Sequence, residues 1–238
     1  MVMWLIAACR QEQPVLPAGC VDPDGPGATA SCLTPTKEPA YYVDEALKYF
    51  DTLDVEADRS RVPDYHPQVA RWEWPPWLLL TAYGADDMTA TADALRLLDP
   101  STVPERDCRA FDVQPFARCT IVFAYEGGLC PIYEEFVFDD AGRTTFIEAW
   151  SDQPGLLPHT DPTDPWAEHQ DIGRLSTRIP GLGTPDASID LYGAAMSDAA
   201  AADPDVADFV ARALDWRSAW IDELAAADPD FFEQGCGW

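Results

Sequence analysis

Apolar and polar positions along the chain predict helices first and strands later. From Ala40 to Asp54 apolar side chains recur every three or four residues, which is typical of an amphipathic helix. The tryptophan-rich stretch from Pro63 to Gly84 is interrupted by Pro75-Pro76. Because proline breaks a helix, we expect two short helices there, the second ending at Gly84.

Two later regions also have helical patterns. Asp86 or Asp87 is the predicted N-cap of a helix that ends before Pro100. Asp203-Pro204 predicts another helix start, since proline suits the first helical position. The stripe that follows is interpreted as core packing and comprises Phe209, Ala213, Trp216, Trp220 and Leu224. Residues 153–238 are therefore predicted to form a loop and helical extension packed on the preceding domain.

Residues 117–150 predict three antiparallel strands. Ala117–Glu126 and Cys130–Asp139 are rich in β-forming residues and are separated by Gly127-Gly128, a two-residue hairpin turn. Asp140-Ala141-Gly142 suits a three-residue loop with glycine in the left-handed conformation, and Arg143–Trp150 follows as the third strand. Helices before strands predict an α+β fold, with helices packed on a curved antiparallel sheet over residues 40–152.

The two turns also predict the strand registers. The first places Ile121 opposite Glu134, and the second places Glu134 opposite Glu148 and Ile132 opposite Trp150. Pro131 cannot donate to the ladder, so a bulge or frayed end is expected near it. One side of this sheet is then predicted to carry Ile121, Phe123, Tyr125, Ile132, Phe136, Phe138, Phe146 and Trp150.

Glu134 and Glu148 are the candidate catalytic residues. If the second register holds, their Cβ atoms lie about 5 Å apart on the aromatic side of the sheet. Repulsion and lost hydration would raise the pKa of one carboxyl and provide an acid and a base. Alternatively, either glutamate pairs with an arginine or reaches the rim of the sheet. The predicted pocket lining is Trp72, Trp77, Phe123, Phe136, Phe146 and Trp150, and in a purely structural domain such side chains would fill the space.

The N-terminal residues resemble the end of a bacterial lipoprotein signal. Ile6, Ala7 and Ala8 precede Cys9 as in a lipobox, although a basic region and a longer apolar stretch are missing upstream. Residues 1–9 are interpreted as a truncated signal with Cys9 lipidated, and 10–39, rich in proline and glycine, as a disordered tether. The alternative is a frayed terminus with a buried cysteine.

The other cysteines predict disulfides. They are even in number and lack C-x-x-C spacing, which favours an oxidising compartment over a zinc site or reduced cytosolic thiols. Cys119 and Cys130 lie too far apart along the predicted hairpin to bond to each other. The disulfide candidates are Cys20, Cys32, Cys108, Cys119, Cys130 and Cys236. The predicted location is the cell envelope, with membrane contact only through the lipid.

The amino-acid composition limits the classes of molecule that the protein is expected to bind. The 42 acidic and 15 basic residues give a net charge of -27, and no basic cluster offers a surface for nucleic acid. Histidines and aspartates in a proline-rich loop are interpreted as solvated, the alternative being that the carboxylates bind calcium, and no metal or cofactor is predicted. These residues are His159, Asp161, Asp164, His169 and Asp171.

One hairpin carries a family resemblance. Residues 135–143, Glu-Phe-Val-Phe-Asp-Asp-Ala-Gly-Arg, run into 147–152, Ile-Glu-Ala-Trp-Ser-Asp, and with the order of elements over 40–152 they resemble the nuclear transport factor 2-like fold and its SnoaL-like branch. The resemblance implies a cone of sheet and helices around a pocket. It leaves two functions open: an envelope module that binds a small hydrophobic ligand or another envelope protein, or an isomerase, dehydratase or cyclase using Glu134 and Glu148.

Overall fold

The computed structural model describes residues 34–73, 82–98, 100–126, 128–151, 193–204, 206–208, 210–211 and 214–215. In these ranges the chain forms an α+β fold in which helices pack on a curved sheet, as predicted. The elements are α1 Pro39–Leu53, β1 Tyr65–Glu73, β2 Ala82–Tyr83, α2 Ala85–Leu98, β3 Thr102–Ala110, β4 Ala117–Tyr125, β5 Gly128–Phe138, β6 Thr144–Ser151 and α3 Ala194–Ala202.

The strands form one sheet in the order β2-β1-β6-β5-β4-β3. Neighbouring strands are antiparallel except β1 and β6, which are parallel. The sheet is therefore mixed rather than purely antiparallel. Among the described helices, none has the length and hydrophobicity of a membrane-spanning segment.

The predicted helices at 40–54 and before Pro100 are confirmed as α1 and α2. Pro39 is the first residue of α1. A backbone N–H at this position has no partner within the helix, so the missing N–H of proline does not destabilise α1. The predicted N-cap is wrong, because α2 begins at Ala85 and places Asp86 and Asp87 inside its first turn, where their negative charges interact favourably with the positive end of the helix dipole. Helix α1 packs on β3 and β4 and helix α2 on β1, burying the α1 residues Tyr42, Ala46, Tyr49, Phe50 and Leu53.

The predicted helices between Pro63 and Gly84 are wrong. Residues 65–73 form β1, and Ala82–Tyr83 form β2. Because β1 lies inside the sheet and its C-terminal half is buried on both faces, it lacks the alternation of apolar and polar residues that identifies a half-exposed strand. Residues 74–81, including Pro75-Pro76 and Trp77, lie outside the described residues.

The predicted hairpin strands are confirmed as β4, β5 and β6. In the first hairpin Ile121 pairs with Ile132, whereas Glu134 pairs with Cys119. This register differs from the predicted one by two residues, so every side chain stays on its expected face. The expected irregularity near Pro131 is absent from the β4–β5 ladder, which continues through the Val122–Pro131 pair.

The second hairpin departs from its predicted register. Phe138 pairs with Thr144 as predicted, but Val137 pairs with Phe146, so a bulge at Thr145 adds one residue to β6. From there on the faces are exchanged: Glu134 pairs with Ala149, and Glu135 pairs with Glu148. The predicted Glu134–Glu148 and Ile132–Trp150 pairs are therefore wrong.

The sheet has two buried faces. The helix-facing side consists of Val69, Arg71, Glu73, Ala117, Cys119, Ile121, Phe123, Ile132, Glu134, Phe136, Phe138, Ile147 and Ala149, and most of its apolar members belong to one core cluster. The second face consists of Ala70, Trp72, Arg118, Tyr133, Glu135, Val137, Phe146, Glu148 and Trp150. Phe146 and Trp150 were expected beside Phe136 and lie on the second face instead.

Cysteine pairing follows the β3–β4 ladder. Cys108 and Cys119 lie opposite each other and form a disulfide, with their Cα atoms 4.1 Å apart. Cys130 is disulfide-bonded as well. The prediction that Cys119 does not bond to Cys130 is confirmed. Cys9, Cys20, Cys32 and Cys236 lie outside the described residues.

The predicted helix start at Asp203-Pro204 is confirmed. Asp203 caps the end of α3, and helical residues resume at Pro204, where the Ala207 amide donates to the Asp203 carbonyl over 3.0 Å. The stripe from Phe209 to Leu224 and the cluster of histidines and aspartates between 159 and 171 lie outside the described residues.

Candidate functional site: a buried carboxylate, guanidinium and phenol

An arginine and two glutamates lie on the helix-facing side of the sheet. Arg71 on β1 donates from Nη1 to Glu73 Oε2 over 3.1 Å and from Nη2 to Glu134 Oε1 over 2.9 Å. None of the three exposes more than 2% of its surface. Burying charges at this depth is unfavourable unless they are paired, so the guanidinium and the two carboxylates stabilise one another in the core.

Strand geometry brings the three groups together. Alternation along β1 places Arg71 and Glu73 on one side. Strand β6 lies between β1 and β5, and its Ala149 pairs with Glu73 on one side and with Glu134 on the other. Because alanine has a small side chain, the carboxylates and the guanidinium can meet above β6.

Burial dominates the electrostatics of Glu134. The pKa of its carboxyl is raised to about 7, and desolvation by burial is the largest cause. Arg71 lowers the pKa through its charge and hydrogen bond, and the charge of Glu73 acts in the same direction as burial; the value of about 7 is the net result. Since one guanidinium faces two carboxylates, protonation of Glu134 leaves Arg71 and Glu73 as a neutral pair. Glu134 therefore gains or loses its proton near neutral pH.

Tyr49 supplies a phenol from the opposite layer. It lies on α1, exposes 1% of its surface, and packs its ring 5.5 Å from that of Phe136. Burial raises the pKa of Tyr49 well above its ordinary value, so its hydroxyl stays protonated. Burial also raises the pKa of Tyr65, which lies on β1 and interacts electrostatically with Glu134.

Glu134 and Tyr49 each hold a buried oxygen that makes no hydrogen bond among the described residues. These atoms are Glu134 Oε2 and the Tyr49 hydroxyl. Buried polar atoms are almost always hydrogen-bonded to protein or to a bound molecule. The site therefore offers a carboxyl oxygen and a phenol to a further molecule.

The surroundings of these polar groups are aromatic and aliphatic. The buried apolar residues of the helix-facing core include Tyr42, Phe50, Phe116, Phe123, Phe136 and Phe138. Within the described ranges, no three His, Cys, Asp or Glu side chains are grouped so as to hold a metal ion. The arrangement can bind a polar group inside an apolar shell and can transfer a proton through Glu134.

The predicted site residues are divided between the two faces. Glu134 lies in the cluster, whereas Glu148 lies on the second face, paired with Glu135. Phe123 and Phe136 are on the helix-facing side; Trp72, Phe146 and Trp150 are on the second face; and Trp77 lies outside the described residues. The alternative that a glutamate pairs with an arginine is confirmed for Glu134.

Arg71, Glu73 and Tyr49 were not predicted as site residues. The sequence signal for the first two is the alternation Val69-Arg71-Glu73, which becomes visible once residues 65–73 are assigned to a strand. Tyr49 lies in a helical apolar pattern, where a tyrosine that packs in the core cannot be distinguished from one that binds a ligand.

No family model matches the chain, and no curated protein does. Among solved structures, the chain is similar to a protein of the SnoaL-like family from Agrobacterium tumefaciens, with 13% identity over 48% of this chain and 99% of that one and a TM-score of 0.37. It is also similar to a protein of unknown function with a cystatin-like fold from Methylobium petroleophilum. The identity is 18% over 53% of this chain and 86% of that one, and the TM-score is 0.39.

A third similar structure is a nuclear transport factor 2-like protein from Burkholderia xenovorans. It shares 12% identity over 52% of this chain and 98% of that chain, with a TM-score of 0.38. At these identities and TM-scores, the likenesses carry no activity, substrate or partner over to this chain.

Proposed function

We propose that the protein is a binding module that encloses a small, largely apolar molecule between α1 and the sheet. The observation that carries this proposal is the pair of buried polar atoms, Glu134 Oε2 and the Tyr49 hydroxyl, that lack partners among the described residues. A ligand hydroxyl or amine would donate to the carboxylate and accept from the phenol. The ligand is apolar elsewhere because aromatic rings dominate the core around these atoms.

The site is built to select for a hydrogen-bonding group. An apolar molecule without one would leave both buried atoms unsatisfied, which costs about 1–3 kcal/mol for each atom. A molecule that carries the group recovers this cost. Arg71 holds the other carboxylate oxygen of Glu134, so the free oxygen has a defined position.

The direct test compares two tyrosines of α1. Native mass spectrometry of the purified protein is expected to show a copurified small molecule, and Tyr49→Phe is expected to lower its occupancy and affinity. Tyr42→Phe is the matched control, because the Tyr42 hydroxyl accepts from two backbone amides of the chain itself. A wild-type protein that carries no such molecule and takes up none from a set of apolar alcohols and amines would overturn the proposal.

We also propose that Cys9 is lipidated and holds this module at the cell envelope. The lipobox-like residues before Cys9 and the proline- and glycine-rich segment after it support the proposal. The Cys108–Cys119 disulfide supports an oxidising compartment. The test is the mass of the mature N-terminal peptide after expression from the full upstream gene. Acylated Cys9 is expected, and an unmodified Cys9 would overturn the anchor.

A second candidate function is an isomerase, dehydratase or cyclase acting on a hydrophobic substrate. The raised pKa of Glu134, about 7, favours it, because a general base is most effective when its pKa is near the working pH. Glu134 would act with Tyr49 as the hydrogen-bond donor rather than with Glu148, which lies on the second face.

A probe of general-base strength tests this function without knowledge of the substrate. A benzisoxazole loses a ring proton to a base and opens at its N–O bond, which can be followed by absorbance. If Glu134 is the base, Glu134→Gln lowers the rate by roughly 100-fold. Glu105→Gln, at an exposed position of β3, is the control. Equal rates for wild type and Glu134→Gln would exclude the base role.

A further inference from the structure

The second carboxyl oxygen of Glu134 discriminates between classes of ligand. Glu134 is completely buried, and Arg71 holds its Oε1 over 2.9 Å while also holding Glu73 over 3.1 Å. Oε2 makes no hydrogen bond among the described residues. A buried carboxylate needs both hydrogen-bond donors and a compensating charge. Because Glu134 shares the charge of Arg71 with a second carboxylate, a ligand that brings a positive charge would meet both needs.

Four classes of polar group can be compared at this position. An anionic group would be repelled by Glu134 and Glu73. A carbonyl or ether oxygen accepts from the Tyr49 hydroxyl but gives nothing to Oε2. A hydroxyl donates to Oε2 and accepts from the phenol, yet it brings no counter-charge. A protonated amine donates to Oε2 and to the phenol oxygen, and its charge makes the bond to the carboxylate roughly twice as strong as a neutral hydrogen bond.

The aromatic rings beside Glu134 suit both parts of such a ligand. Phe136 follows Glu134 by two residues on β5 and therefore lies on the same side of the sheet. Its ring centroid is 5.5 Å from that of Tyr49 and 5.8 Å from that of Phe50. The face of an aromatic ring attracts a cation, and the rings also cover apolar surface. An ammonium group attached to a hydrocarbon body matches these surroundings.

The charge of the whole chain acts in the same direction. The 42 acidic and 15 basic residues give a net charge of -27. A field of this sign raises the local concentration of cations and lowers that of anions. Salt screens this long-range field much more than it screens a buried contact, so the two contributions can be separated by ionic strength.

We propose that the core site binds a cationic amphiphile, a protonated primary or secondary amine on an apolar body, and that Glu134 Oε2 and the Tyr49 hydroxyl hold its ammonium group. This inference rests on the proposed function and adds the charge and the chemical class of the ligand.

An ammonium group and a proton compete for the same carboxyl oxygen. The pKa of Glu134 is raised to about 7, with burial as the largest cause, so below that pH the carboxyl must lose its proton before an amine binds. The affinity for an amine is therefore expected to fall roughly tenfold for each pH unit below 7. An alcohol hydrogen-bonds to either form of the carboxyl, and its affinity should change little.

The other groups around Glu134 do not change their charge in this pH range. Among the described residues, those that face it are Arg71, Glu73 and Tyr65 from β1 and Tyr49 from α1, and its ladder partners are Ala149 and the disulfide-bonded Cys119. Both phenols have pKa values raised by burial and stay protonated. The pH dependence of amine binding therefore reports on Glu134.

The experiment compares three probes that share one apolar body: 4-phenylbutylamine, 4-phenylbutanol and 4-phenylbutanoate. Their affinities for the purified and extensively dialysed full chain are measured by titration calorimetry at about 0.5 M NaCl, which screens the long-range field. At pH 8 the amine is expected to bind at least roughly tenfold more tightly than the alcohol, and the carboxylate is expected not to bind. Between pH 7 and pH 5 the amine should lose roughly 100-fold in affinity and the alcohol less than about threefold.

Two variants locate the charge that is recognised. Glu134→Gln keeps an acceptor oxygen but removes the charge, so it is expected to retain alcohol binding and to lose both the preference for the amine and its pH dependence. Glu105→Gln removes an exposed charge from β3 and is expected to keep both.

The outcomes separate this inference from the proposed function. If wild type binds the alcohol as tightly as the amine, or if its affinity for the amine is the same at pH 7 and pH 5, the inference is overturned and the proposed function stands. A preference for the amine that persists in Glu134→Gln would also overturn it. If none of the three probes binds, the proposed function fails together with the inference.

Discussion

Arg71 on β1 reaches Glu134 on β5 over a hydrogen bond of 2.9 Å, although β6 lies between the two strands. The same guanidinium holds Glu73 on its own strand. The pair thus joins two strands that share no backbone ladder. It also determines which oxygen of Glu134 is left for another molecule, so the architecture of the sheet and the chemistry of the site depend on one contact.

The pKa of Glu134 predicts how stability changes with pH. Its folded pKa of about 7 exceeds the ordinary value of 4.5, so the folded protein holds this proton more tightly than the unfolded chain. The free energy of unfolding therefore falls as pH rises from about 4.5 to about 7. The side chain that Glu134→Gln introduces does not titrate. The free energy of unfolding of this variant should therefore rise relative to that of wild type by on the order of 3 kcal/mol between pH 4 and pH 8.

Urea unfolding at several pH values measures this difference. Glu105→Gln, which removes one exposed negative charge, controls for the general effect of the net charge of -27. A difference between wild type and Glu134→Gln that stays constant from pH 4 to pH 8 would show that Glu134 does not titrate in this range.

Two tyrosines of α1 should respond differently to loss of their hydroxyl groups. The Tyr42 hydroxyl accepts from the backbone amides of Thr36 at 2.9 Å and Lys37 at 3.0 Å, so Tyr42→Phe should lower the free energy of unfolding by about 1–2 kcal/mol. Tyr49→Phe removes a buried hydroxyl that lacks a partner among the described residues and should leave stability unchanged or raise it. Thermal unfolding of the ligand-free proteins measures both. A large loss in Tyr49→Phe would mean that this hydroxyl has a structural role.

An ion-pair network at the end of α1 should contribute more to the free energy of unfolding than an ion pair on the surface does. Arg106 on β3 contacts Asp51 and Asp54 at 2.6 Å each, and Asp54 also accepts from the Val103 amide. Arg106→Gln leaves two largely buried carboxylates with fewer partners. It should therefore lower the free energy of unfolding by about 3 kcal/mol.

Arg59→Gln is the matched control, since Arg59 and its partner Asp93 are both about half exposed. Such a pair contributes less than about 1 kcal/mol. Urea unfolding of both variants at low and high salt gives the comparison. If both variants lose the same free energy of unfolding, the network at Arg106 stabilises the fold no more than a surface ion pair does.

The sequence predicted the helices and hairpins well where the pattern was local. Helices α1 and α2 and strands β4 to β6 follow from apolar spacing and turn residues. The face of Glu148 could not be predicted, because the bulge at Thr145 changes the alternation of β6 by one residue. Nothing in the turn sequence requires that bulge, and a single residue exchanges the two faces for the rest of the strand.

The strands β1 and β3 were not predicted from the sequence, and the reasons are opposite. Strand β1 is buried on both faces and carries buried charges, so its sequence does not alternate. Strand β3 lies at the sheet edge and is rich in charged residues, which is how exposed edges avoid pairing with other chains. Both depend on their neighbours in the sheet, and so does the cluster of Arg71, Glu73 and Glu134.

Gly142 in the β5–β6 hairpin should not tolerate a side chain. Its φ of +88° is favourable only for glycine, and an added Cβ would lie 2.9 Å from Tyr41 Cε1 and 2.8 Å from Lys37 Cε. The Tyr41 hydroxyl donates to the Gly142 carbonyl over 3.1 Å, so displacing the ring also weakens that bond. Gly142→Ala should lower the free energy of unfolding by about 2–3 kcal/mol, of which backbone strain accounts for roughly 1–2 kcal/mol.

Double-mutant cycles can separate the contact from the strain. The Lys37 side chain is long and can move aside, whereas the Tyr41 ring is held by α1. Gly142→Ala should therefore show a coupling energy of about 1 kcal/mol with Tyr41→Leu and a smaller one with Lys37→Ala. If neither cycle shows coupling, the cost comes from backbone strain alone, and the helix–hairpin contact does not restrict this position.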